Sequence, residues 1–415
     1  MRFSKNSNYI VTFFVEFLVL LLGFLVFRLA SEKLAEVGFS EFTLARRNIS
    51  FLQPLLMLGL GVAVPRYMSI NKDRDSYLPS GLMMMMGIGI LFLIGLVAFR
   101  NVISILFFGS AEYNFLIFPL ALLLVSYGFH SIIYGYLRGK GEMYLANVFQ
   151  LINIGIVPVL TMFFAQDVAF YMYFNALTIG IVSVVFAVLI FLKNQIKFNR
   201  NLLKEDSLEL LGYGMPRIFG DFALLALLTI PAYVVLYLQH NLSAGGDIAY
   251  AITLFNLVGA AFGPISLVLL PEISKFLVES RIDLISKRFY FFVFSSLLLT
   301  VAGYLIFILF HEPILNLLLG KNYRHEIFEI ARIILMGSFG YVIYIVLRSF
   351  LDAIHVKAKN SVNLLISLGV YAVIILCGYL NGVSMYYYLY CFVIAVNLLG
   401  VLTFIQTYNS IKKLK

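Results

Sequence analysis

The chain has 415 residues, 62% of them hydrophobic and 12% charged, with a mean hydropathy of +0.96. Soluble domains are about 45–50% apolar and about 25% charged, so this composition excludes a water-soluble fold and makes lipid the solvent for most of the surface. The net charge of +9 sits mostly in short loops, which points to membrane topology and away from nucleic acid.

A hydrocarbon core of ~30 Å takes about 20 apolar residues per helix. Twelve segments meet that measure, at 9–30, 43–68, 78–99, 114–137, 144–165, 170–192, 210–238, 248–271, 287–310, 327–349, 361–380 and 385–408. The basic start of the first would suit a signal peptide, but no small-residue cleavage site follows and the apolar run is too long, so it reads as a span. Within it, Glu16 is a candidate proton or cation site, or else a packed, protonated carboxyl. Arg28 lies near its far end, where it can snorkel or pair with Glu32 one turn on.

The second segment carries Arg46 and Arg47 in its first turns. Neighbouring helical positions point ~100° apart, so the two can share a wide cavity but not a narrow seam. Pro54 frees a backbone carbonyl in mid-membrane and permits a bend, and Gly59 and Gly61 permit close packing. In the seventh segment, Arg217 and Asp221 stand at i and i+4, inside the span, where they can pair. Pro216 and Gly214 suit a discontinuous start to that helix. The tenth segment holds Arg332, with Glu329 as an i−3 partner, and ends on Arg348 at the headgroup level.

Six arginines and two acids thus remain in or at the edges of spans once the loops are set aside. Balanced structural ion pairs would not leave that excess. Each unmatched cation, at ~2.5–3.5 kcal/mol or more, needs an anion, a wet cavity or escape to the interface. With the N-terminus inside, twenty basic residues fall on the cytoplasmic side and four on the outer side, which places both termini in the cytoplasm. The two cysteines lie in apolar segments, the five histidines lack metal-ligand spacing, and "RGKGEMY" at 138–144 lacks the phosphate-loop pattern. No cofactor or metal is expected, although coupling to a proton or sodium gradient is, with Glu16 and Asp221 as the candidate groups.

The halves repeat. Pro65 and Pro271 are 206 residues apart, Gly109 and Gly320 are 211 apart, and Arg138 of "YGYLRGKGEMYLAN" and Arg348 of "YIVLRSFLDAIHVKAKN" are 210 apart. Six spans per repeat is even, so both halves enter the membrane in the same sense, with substrate expected between them. The expected domains are 1–206 and 207–415.

The stretches "VGFSEFTLARRNISFLQPLLMLGLGVAVPRYMS" at 37–69, 107–147 and 317–360 resemble bacterial polysaccharide flippases of the Wzx type. These belong to the multidrug/oligosaccharidyl-lipid/polysaccharide exporter superfamily. The resemblance implies an all-α, MATE-like membrane fold of two six-helix bundles, alternating access and a cationic central cavity. The implied cargo is an oligosaccharide on a polyprenyl pyrophosphate, carried across the bacterial inner membrane. Membrane lipids and a polymerase of the same pathway would be partners, and nucleic acid would not. Arg46, Arg47, Arg217 and Asp221 are the matching positions, and Arg28 and Arg332 complete the expected substrate-binding set. A drug/cation antiporter would favour acidic and aromatic groups in the cavity. A membrane glycosyltransferase or polymerase would need a large external loop or an acidic pair, and a purely structural subunit leaves the arginine excess without a purpose.

Overall fold

The computed structural model describes residues 5–196, 199–215, 218–239, 241–320, 324–355 and 359–414. All regular structure among them is helical. Ten helices are long and apolar enough to cross a membrane, and two further pairs, each bent at a short break, bring the spans to twelve. Two compact units divide the chain: Met1–Ile218 with Leu317–Asn322, and Phe219–Asn316 with Tyr323–Lys415.

The first unit contains α1 (Lys5–Lys33), α2 (Glu36–Met57), α3 (Leu60–Ile70), α4 (Tyr77–Ala98), α5 (Arg100–Phe108), a 3-10 turn at Ala111–Leu116, and α6 (Ile117–Lys140). A single span then combines α7 (Met143–Gln150), a π-helical turn at Leu151–Ile156 and α8 (Val157–Phe164). Helices α9 (Val168–Asn194) and α10 (Arg200–Gly214) complete the unit. The span containing α6 is 67% buried, whereas α1 and α4 are 22% buried in their apolar windows, so α6 is the axis on which the others pack. Large apolar side chains such as Leu91 on α4 face outward, as lipid solvent requires.

The second unit contains α11 (Ile218–Gln239) from Phe219 on, α12 (Leu242–Val278), α13 (Ile282–Leu309), α14 (His311–Leu319) as far as Asn316, α15 (Glu326–Leu335), α16 (Ser338–Ile354), α17 (Lys359–Leu380) and α18 (Met385–Leu414). The repeat is visible in local structure. Both α5 and α14 are nine-residue helices, and each is followed by a left-handed glycine, Gly109 at φ +78° and Gly320 at φ +82°.

Several spans run a few residues beyond their sequence reading, and three differ in where they start or break. The second starts at Glu36 and breaks by 51° between α2 and α3. Pro54 removes a backbone donor there, and Leu58 and Gly59 both turn left-handed, at φ 45° and 76°. The tenth breaks by 44° between α15 and α16 without a proline. Its bonds tighten to the i→i+3 pattern at Met336 and Gly337, both 3.0 Å. The seventh starts at Ile218, so residues 210–214 belong to α10 and Asp221 sits in the first turn of α11 rather than deep in the span.

Polar contacts explain that last boundary. Asp206 of α10 is fully buried 2.5 Å from Arg74 Nη2, and Glu205 pairs with the same guanidinium at 3.1 Å. Tyr77 donates to Glu209 at 2.7 Å, and Arg66 donates to the Tyr213 hydroxyl at 2.7 Å. At the end of α10, Gly214 meets the α2–α3 break backbone to backbone. A Cβ on Gly59 would lie 2.4 Å from Gly214 Cα, so neither position has room for a side chain.

Candidate functional site

A cavity of about 370 Å³ opens inside the first unit. Its walls come from α2 (Phe42 to Gln53), α6 (Leu123 to Tyr134), the α7–π junction (Gln150, Ile154) and α9 (Tyr171, Met172). Eleven residues of rise along α2 or α6 correspond to ~16 Å, so the space is elongated along the helices. Its volume lies within the ~300–1,000 Å³ usual for small-ligand pockets.

At one end is Arg46. Its Cζ lies 4.7 Å from the Phe27 ring centroid and 5.7 Å from that of Phe42. Phe42 in turn meets Tyr171 edge-on at 5.4 Å, and Asn175 donates to the Tyr171 hydroxyl at 3.3 Å. Aromatic faces thus hold the guanidinium without neutralising it. Among the described residues Arg46 has no carboxylate at ion-pair distance.

Midway along the cavity is His130, 4% exposed and stacked on Phe149 at 4.6 Å. Asn153 Nδ2 faces His130 Nδ1 at 3.2 Å, and His130 Nε2 faces Gln150 Oε1 at 2.9 Å. With Asn153 donating and Gln150 accepting, the neutral imidazole satisfies both contacts. The π turn places this pair. It adds a residue to the helical turn, and such turns recur at functional sites. Fully buried Asn153 also donates to Ser183 at 3.2 Å, while its Oδ1 has no hydrogen-bond partner among the described residues.

At the other end, Tyr134 stacks beside His130 at 5.7 Å and donates to Glu16 Oε1 at 2.7 Å. Glu16 therefore reaches the cavity wall through a phenol. Arg138 Cζ lies over the Tyr134 ring, 5.4 Å from its centroid.

The expected site residues divide as follows. Arg46 lines the cavity and Glu16 adjoins it. Arg47 turns away from it and is packed at 5% exposure. Arg28 pairs with Glu32 at 3.0 Å and Arg332 with Glu329 at 2.6 Å, each arginine side chain more than 40% exposed. Both therefore meet their charge locally and lie outside the cavity lining. Arg217 lies outside the described residues, as does the side chain of Asp221. The reading from sequence missed His130, Gln150, Asn153 and Tyr134. Their signal was present as four polar groups within otherwise apolar runs. Among the described residues, no three His, Cys, Asp or Glu groups gather as metal ligands.

A family model described as polysaccharide biosynthesis protein matches residues 6–277. The chain belongs to that family. The match spans the whole cavity, including Glu16, Arg46 and His130. No curated protein sequence matches this member. Solved structures share its fold. One is an inward-facing multidrug resistance MATE transporter of the MOP superfamily, with a TM-score of 0.75 at 14% identity, covering 100% of this chain and 96% of that one. The outward-facing form of a MATE transporter gives a TM-score of 0.64 at 14% identity, covering 98% and 94%. A third is a superfamily transporter from Pyrococcus furiosus, whose binding pocket has reversed polarity and suggests a different function. Its TM-score is 0.65 at 12% identity, covering 98% and 94%. This member of the polysaccharide biosynthesis family is therefore a multi-pass membrane protein with the MATE-type fold.

Proposed function

We propose that this protein flips a polyprenyl-pyrophosphate-linked oligosaccharide from the cytoplasmic to the outer face of a bacterial inner membrane, by alternating access of its two halves. The observation that carries the reading is Arg46, a cation without a carboxylate partner among the described residues, in a polar and aromatic cavity within the family-matched segment. A diphosphate diester is charged and cannot cross bare hydrocarbon. Arg remains charged in a low dielectric and grips phosphate through a planar fork. Tyr127, Tyr134, Tyr171, Gln53 and Gln150 give sugars ring faces and hydrogen-bonding groups in the same space. The polyprenyl tail stays in lipid.

The loop charges orient the chain with both termini in the cytoplasm. Arg217 and Asp221 are further proposed members of the substrate path, on the sequence spacing alone. Glu16, bonded to the cavity wall, is the proposed site of coupling to a proton or sodium gradient. A polymerase of the same pathway is the proposed downstream partner. The Pyrococcus protein, with its pocket of reversed polarity, supports the idea that pocket charge sets the cargo on this fold. A cation antiporter is favoured less, because the charge inside the cavity is a guanidinium.

The test is complementation of a host strain that lacks its own flippase. Wild-type protein should restore surface polysaccharide. Arg46→Ala should insert normally yet leave lipid-linked oligosaccharide on the cytoplasmic leaflet. Full surface polysaccharide from Arg46→Ala would defeat the assignment.

A further inference from the structure

The cavity wall carries one amide whose direction is fixed by the side chains behind it. Gln150 ends α7, and Asn153 follows three residues later in the π turn. The two bracket the ring nitrogens of His130 on α6, with Gln150 Oε1 2.9 Å from Nε2 and Asn153 Nδ2 3.2 Å from Nδ1. Phe149, stacked at 4.6 Å, steadies the imidazole between them. Asn153 also donates to Ser183 on α9 at 3.2 Å. Ser183, Asn153, His130 and Gln150 therefore form one hydrogen-bonded chain, from a buried anchor to the cavity lining.

Asn153 sets the direction of that chain. Its amide nitrogen has two acceptors, and its carbonyl oxygen has no hydrogen-bond partner among the described residues. Turning the carboxamide over would place two buried N–H groups where no acceptor lies. That arrangement costs more, because buried donors go unpaired less readily than carbonyl oxygens. Asn153 therefore donates to Nδ1, Nε2 carries the imidazole proton, and Gln150 accepts it through Oε1. What remains of Gln150 for the cavity is its amide N–H groups, and it makes no other hydrogen bond among the described residues. Gln53 lines the same space without a hydrogen bond among the described residues, so it can turn either its oxygen or its nitrogen inward. Gln150 can present only donors.

We propose that Gln150 is a donor-only subsite for an unprotonated oxygen on a cargo sugar, an amide carbonyl or a carboxylate, and that His130 and Asn153 are its positioning residues. A sugar hydroxyl can donate or accept, so it gains from any polar wall. A carbonyl or carboxylate can only accept, and a wall locked as a donor singles it out. With Arg46 at one end of the space and Gln150 beside His130 midway, the diphosphate and its attached sugar would be read by separate groups. The class of cargo rests on the transport reading above. The selectivity rests on the hydrogen-bonded chain alone.

The experiment measures equilibrium binding to the full-length protein in nanodiscs of zwitterionic lipid. The probes are polyprenyl diphosphates carrying glucose, N-acetylglucosamine or glucuronic acid. Wild-type protein should bind one or both of the last two roughly five- to tenfold tighter than the glucose probe, the scale of one hydrogen bond. Preference for the N-acetyl probe identifies the carbonyl as the group read, and preference for the glucuronic probe identifies the carboxylate. Gln150→Glu still accepts from His130 but offers no donor, so it should bring that preference to equality or reverse it. Asn153→Leu frees the imidazole to take either tautomer and should cut the preference at least about twofold. A variant that merely loosens the fold weakens all probes together, so the ratio separates positioning from structure. Nitrogen NMR of histidine-labelled wild-type protein, with His130→Gln as the blank that assigns the signal, reads the tautomer directly: Nε2 should carry the proton and Nδ1 should be bare. Equal wild-type affinity for all probes, a preference unchanged in Gln150→Glu, or the opposite tautomer at His130 would each overturn the proposal. Arg46→Ala should weaken all probes alike. If they bind equally yet depend on Arg46, the subsite fails and the transport reading stands. If none binds, the transport reading fails and the subsite with it.

Discussion

At the scale of single residues, what matters is whether a guanidinium meets its charge on its own helix or must look elsewhere. Arg28 and Arg332 have acidic partners three or four positions away and remain more than 40% exposed. Exposed pairs of this kind contribute about 0–1 kcal/mol. Arg28→Ala and Arg332→Ala should therefore retain most of the wild-type transport rate in the complementation assay. Arg46→Ala should reduce that rate at least about tenfold, the scale of losing one charge-assisted phosphate contact, with Arg46→Lys intermediate. His130 sits differently, because both its nitrogens have buried amide partners. His130→Leu would strand those amides at about 1–3 kcal/mol, read as a lower thermal midpoint in detergent. Glu16→Gln keeps an oxygen for Tyr134 and should leave the protein folded while removing the dependence of transport on an ion gradient. The local pairs were legible in sequence because i,i+3 and i,i+4 neighbours follow from helix geometry. The His130 group was not, since its partners lie 20 and 23 residues away on another span.

Among the elements, the bent second span and helix α10 stand out as one assembly. Pro54 and the Gly59 region were readable as a place for a bend, and the structure puts a 51° break there. Nothing in local periodicity indicates that the end of α10 fills that break, because a backbone contact between Gly59 and Gly214 leaves no hydropathy signal. The same absence hides the π turn and the proline-free break at Gly337, which rest on packing rather than on breaker residues. Two consequences can be measured. Asp206→Asn, which leaves Arg74 without its buried carboxylate, should lower stability by about 3 kcal/mol and increase proteolysis between α9 and α10. Gly59→Ala combines a left-handed backbone with a Cβ 2.4 Å from Gly214 and should prevent correct folding, so that little protein reaches the membrane.

For the whole molecule, run length alone was enough to find the twelve spans, since lipid demands about 20 apolar residues from each helix. Loop charge gives the proposed orientation, and reporters placed in the 193–199 connection and at the C-terminus should both report the cytoplasm. The internal repeat was also legible, because the paired short helices with their left-handed glycines keep one spacing in both halves. Cargo is the property that lies furthest from the fold, since one architecture serves pockets of different polarity. The most direct measurement is therefore flux: protein in proteoliposomes loaded with a fluorescent polyprenyl-diphosphate oligosaccharide, with leaflet accessibility followed by quenching. Wild-type protein should expose the cargo on the opposite leaflet, and Arg46→Ala should fall to the rate of empty vesicles. Equal flux from the wild type and Arg46→Ala would contradict the account.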